Sequence, residues 1–135
     1  MSERGSISLW MVGMVMIVFL VGGIAIDLWR GLASHRQVAS IVDAAAIAAG
    51  SGIDEQAWRD DGTLRLDPGH VVERVATAVA AQDAPTVSVS VVTAGDGSAA
   101  TVSGSTTVEL TLLGLIVSDG FEVSATATAV PALSP

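Results

Sequence analysis

The chain of 135 residues has no cysteine, no lysine and no tyrosine. Without cysteine there is no disulfide framework and no thiolate chemistry, so an exported domain must hold itself by packing or by assembly. Without lysine, and with six arginines against 14 acids, the chain is short of the cations that phosphate contacts need. Nucleic acid is therefore excluded as a partner. The imbalance lies in one part of the chain. Residues 1–50 carry three acids and three arginines, whereas residues 51–135 carry eleven acids and three arginines. The acidic part is also a poor match for an anionic lipid surface. Aromatic residues are confined to Trp10, Phe19, Trp29, Trp58 and Phe121, too few for a sugar-stacking or base-stacking site.

Catalytic and metal-binding patterns are missing as well. His35 and His70 are the only histidines, neither has a second imidazole at ligand spacing, and both are expected at the surface. Asp54-Glu55 and Asp60-Asp61 lack the alternating acids and glycine of a calcium loop. The serines and threonines fall at strand period on a solvated face, and no glycine-rich stretch has a phosphate-loop pattern. The expectation is a non-enzymatic protein with no cofactor, no metal and no small-molecule substrate.

What the chain does have is an uncharged run of twenty residues, 7–26, reading ISLWMVGMVMIVFLVGGIAI. A helix of that length is about 30 Å long, the thickness of a bilayer core. Asp27 ends the run, and Arg30, His35 and Arg36 follow. The expected arrangement is a single membrane span, with residues 1–6 as a short cytoplasmic tail and the C-terminal part exported. Long domains cross largely regardless of charge, and the arginines on the two sides balance. The competing reading is a signal peptide cut at Ala25, which would release a secreted binding protein. A signal's apolar stretch usually runs about 7–15 residues, shorter than this one.

The helix is expected to continue beyond the span, over residues 27–50. That stretch contains no proline, and Leu28, Leu32, Val38, Ile41, Val42, Ala45 and Ala49 recur at near-helical spacing. Gly50-Ser51-Gly52 is the stop. The remainder, residues 51–135, is long enough for one small head domain. A short helical turn is expected near residues 54–59. A second helix should start at Asp67-Pro68 and run to about Gln82. Beyond Pro85 the period changes to two. Strands are expected over residues 86–93, 100–112 and 122–130, the first pair joined across Gly95-Asp96-Gly97. The fold class is thus α+β: a long N-terminal transmembrane helix entering an exported head with a three-stranded antiparallel sheet.

Several positions stand out as contact candidates. Gly22 and Gly23 offer a packing surface or a kink near the end of the span. Asp27 reads as an interfacial stop, or alternatively as an ion-pair partner inside an assembly. Ala45, on an alanine-rich face, permits close approach of the head's own sheet or of another helix. Leu113 and Ile116 belong to an apolar segment between the last two strands, more apolar than a solvated loop requires.

The chain resembles a known family in the order and spacing of its first fifty residues. Arg4-Gly5-Ser6 precedes the apolar span, and Ile26-Asp27-Leu28-Trp29-Arg30 leaves it. Arg36-Gln37-Val38 follows, and Val42-Asp43-Ala44-Ala45-Ala46-Ile47-Ala48-Ala49 closes the helix. This resembles the N-terminal region of TadE/TadG-like proteins of tight-adherence (Flp) pilus assembly, as does the Ser/Thr-Val/Ala alternation of residues 123–129. The resemblance implies a pilin-like envelope protein with membrane lipid, other pilin-like subunits and the assembly machinery as partners. Prepilin peptidases cut after a glycine, which points to the Gly5-Ser6 bond. Mature pilins then carry a glutamate at their fifth position, where this chain would carry Trp10. The resemblance therefore implies an uncleaved, TadG-like assembly factor.

Overall fold

The computed structural model describes residues 4–111, 114 and 120–132. One helix, α1 (Arg4–Gly50), takes up 47 of them and is about 70 Å long. Nothing in its sequence interrupts it. Proline is absent, and its glycines are isolated or paired in an otherwise strongly helical run. Its first half packs on nothing described: residues 6–22 are all exposed. From Gly23 onward one face is buried, through Asp27, Gly31, Val38, Ile41, Val42, Ala45 and Ala49. Those positions, mostly three, four or seven apart, keep a single stripe turned to one side.

Two shorter helices follow. In α2 (Glu55–Asp61) the Asp54 carboxylate caps the start by accepting from the amides of Gln56 and Ala57. Gly62, at φ 69°, ends α2 in the left-handed conformation that glycine adopts without steric cost. In α3 (Pro68–Ala80) the Asp67 side chain accepts from the His70 amide at 2.8 Å, and Pro68 fills the first helical position. Val71 and Val75 turn inward.

The remaining elements are the strands β1 (Ser88–Thr93), β2 (Ala100–Val108) and β3 (Phe121–Ala129). They form an antiparallel sheet in the order β1-β2-β3. One face of the sheet carries Val102, Gly104, Val108, Val123 and Ala129, all buried, and the other carries serines and threonines. The second half of α1 lies on β2 and β3, and α3 packs beside α1 and reaches β1. The core is the meeting of these two layers. Gly104 sits under α1, where a Cβ would come within 2.6 Å of Val42 Cγ2. The absent side chain is what lets the helix lie close to the sheet. After β3 the chain returns to the end of α1, and the Ala132 amide donates to the Gly50 carbonyl at 3.1 Å.

The α+β architecture, the long apolar helix and the three-stranded antiparallel sheet are those expected from the sequence. Several boundaries differ, β1 beginning at Ser88 and β3 running Phe121–Ala129 among them. The expected turn at 54–59 is a capped helix, α3 stops at Ala80, and β2 ends at Val108 although the alternation runs on to Leu112. Val108 pairs with Phe121, the first residue of β3, so the partner strand is used up at that point.

Candidate functional site

The candidate site is the seam where the middle of α1 meets the connection between β2 and β3. On the helix side it is built from Asp27, Arg30 and Gly31, with the buried Gly23 one turn before Asp27 on the same face. On the head side it is built from Thr111 and Phe121. Asp27 is 1% exposed, and its Oδ1 accepts from the Thr111 amide at 3.0 Å, a contact 84 residues apart in sequence. One turn along, the Arg30 guanidinium donates to the Thr111 hydroxyl. The Phe121 ring covers Gly31, where a Cβ would lie 2.6 Å from the ring's Cζ. Small residues on the helix thus admit an aromatic ring and a backbone segment at close range. A buried carboxylate costs several kcal/mol unless hydrogen-bonded, and at Asp27 the Thr111 amide supplies a bond.

The expected contact residues fall in different surroundings. Asp27 is enclosed between helix and head. Gly23 is buried, whereas Gly22 looks outward, and a Cβ there would meet nothing within 4 Å among the described residues. Ala45 is 0% exposed and belongs to the molecule's own core with Val38, Val42, Ala49 and Val102. Gly5 and Ser6 lie in the first turn of α1, and Ser6 is exposed. Leu113 and Ile116 lie outside the described residues.

A second concavity lies where the end of α1 meets α2 and α3, lined by Ile53, Trp58, His70, Glu73 and Arg74 among others. His70 Nδ1 is 3.4 Å from the Ile53 carbonyl and 3.8 Å from Asp67 Oδ1, so its ring is engaged in the local loop. Among the described residues, no three His, Asp or Glu side chains converge as a metal site would require. Two exposed turn carboxylates are perturbed. Hydrogen bonds from the side chain and amide of Thr63 hold Asp61 below its ordinary value, and those of Ser98 do the same for Asp96. Both are turn-locking contacts on the surface.

Sequence reasoning placed Asp27 at a boundary but missed Thr111, Phe121 and Gly31 as its surroundings. The one available signal was the pairing of two glycines at 23 and 31 around a charge at 27, which marks a helix face made for close approach.

A long apolar stem helix whose second half carries a small sheet-based head defines the class of protein. Residues 5–52 match the family model described as "Putative Flp pilus-assembly TadE/G-like". The matched segment coincides with α1 and ends just past it, so the family resemblance read from the first fifty residues is borne out over the stem. That match supports involvement in Flp pilus assembly. No curated protein matches the chain, and no solved structure matches it.

Proposed function

We propose that the chain is a membrane-anchored, non-enzymatic component of Flp pilus assembly, acting as an uncleaved TadG-like assembly factor or minor pilin-like subunit. The observation that carries this reading is the coincidence of the TadE/G-like match with a helix whose first half is long and apolar enough to cross a membrane. In this reading residues 1–6 are cytoplasmic and residues 7–26 span the membrane. The rest of α1 leads out of the membrane, and residues 51–135 form the exported head.

The head supplies surfaces rather than chemistry. Its apolar interior is used on itself, including Ala45, so assembly contacts fall to the outward faces. Among the exposed large apolar residues described there are Ile47, 79% exposed on the far side of α1 from the core, Val130 beside it, and Val92 on the sheet. Pilus counts on cells lacking the chain test the reading. Loss of Flp pili, restored by the full chain but not by residues 34–135 exported alone, is the expected result. Normal piliation without the chain refutes it.

A further inference from the structure

Asp27 is the first charge after the apolar run, and a sequence reading puts the membrane boundary there. In the structure that charge faces the head and is enclosed. It therefore says nothing about the boundary on the other side of α1. On that side the apolar surface continues. Ile26, Leu28, Trp29 and Leu32 are all exposed, Leu28 at 66% and Trp29 at 69%. Arg30, exposed one turn beyond Ile26, flanks this face and turns its guanidinium to Thr111, and the next charge, Arg36, lies one turn beyond Leu32.

From Ile7 to Leu32 the outward surface is about 38 Å long, more than a bilayer core of about 30 Å needs. Within it, Trp10 and Trp29 are both exposed and lie about 28 Å apart along the helix. Tryptophan favours the interface between acyl chains and headgroups. Two of them at that separation bracket the hydrocarbon. Around Trp29, residues 28–42 contain Arg30 and Arg36 and no acid, in a chain whose remainder is strongly acidic. That local positive charge suits phosphate headgroups.

Resting on the reading of α1 as a membrane span, we propose that the bilayer extends past Asp27, with the headgroup layer between Trp29 and Arg36. The Thr111–Phe121 end of the head is then seated on the bilayer surface. The occupant of the exposed Leu28, Trp29 and Leu32 face is phospholipid, continuous with the lipid around the span. Asp27 lies just inside the hydrocarbon boundary on this account. There a carboxylate is tolerated because Thr111 and Phe121 cover that side of the helix. The head is thereby held at a fixed height against the membrane.

The test uses the full chain in phospholipid vesicles carrying brominated acyl chains. With Trp10→Phe and Trp58→Phe combined, only Trp29 emits. The expected result is that bromines near the glycerol end remove most of its emission while aqueous iodide has little effect. Strong quenching by iodide with none by bromine overturns the proposal and returns the boundary to Asp27. Shielding from both quenchers also overturns it, because protein then covers the face. The companion chain with Trp29→Phe and Trp58→Phe reports on Trp10. If bromine does not touch Trp10, the span itself fails. If bromine quenches Trp10 but not Trp29, the span stands and the inference falls. The absence of native cysteine gives a second measurement free of background. Leu28→Cys should resist a membrane-impermeant maleimide until detergent is added, and Ser40→Cys should label at once. Equal labelling of the two refutes the proposal.

Discussion

Asp27 joins stem to head at the Thr111 amide, and its substitution separates charge from hydrogen bonding. Asp27→Asn keeps an acceptor for the Thr111 amide. Asp27→Leu removes it and should cost about 1–3 kcal/mol, the usual penalty for a stranded donor. Thermal unfolding in detergent micelles should show the leucine variant melting well below the asparagine one. Equal melting would mean the contact carries no weight. Gly104 makes a complementary test, because its neighbour Val42 is buried and cannot retreat. Gly104→Ala should destabilise by about 1–3 kcal/mol through overpacking, measured by denaturant unfolding. Asp96 gives the pH dependence. Its folded value is lowered by Ser98, so its contribution to stability is present above the unfolded value of 3.8 and is lost as pH falls through the lower folded one. Asp96→Ala should flatten that part of the acid profile, and the effect should be small because the group is exposed.

Along α1, two residues in the same turn make opposite predictions. Ala45 is enclosed by the core, while Ile47 points away from it. Ala45→Arg should unfold the head, because an arginine there has neither room nor partner. Ile47→Ser should leave the melting temperature unchanged, and any loss of piliation would then report an assembly contact. Circular dichroism of the two variants distinguishes them. This element was legible in the sequence, since the apolar spacing from Val38 to Ala49 has a single helical solution. The sheet was legible for the same reason, through the change to period two after Pro85. The end of β2 was not, because alternation continues past Val108 while pairing depends on where β3 begins. Nor was the seam. Asp27 and Thr111 are far apart in the chain, and no local pattern links a helix residue to a particular amide in a distant connection.

At the scale of the whole molecule, the core of the head is made from α1 residues beginning at Val38. A chain of residues 34–135 keeps that core and loses only the Asp27 seam. It should fold as a monomer, checked by light scattering and circular dichroism. A chain that stays unfolded would mean that neighbouring helices are needed. The full-length account depends on the stem remaining attached and intact. Gly5 and Ser6 lie in the first turn of α1, and a cut between them would put Trp10 where a pilin carries the glutamate that meets a neighbour's new amino terminus. Trp10 cannot accept that charge, so cleavage would leave an ammonium at the head of an apolar helix. The decisive measurement is the intact mass of the protein extracted from the membrane fraction, with and without the prepilin peptidase. The account predicts the same mass in both, with residues 1–5 retained. A peptidase-dependent loss of those residues would contradict it and make the chain a processed pseudopilin instead.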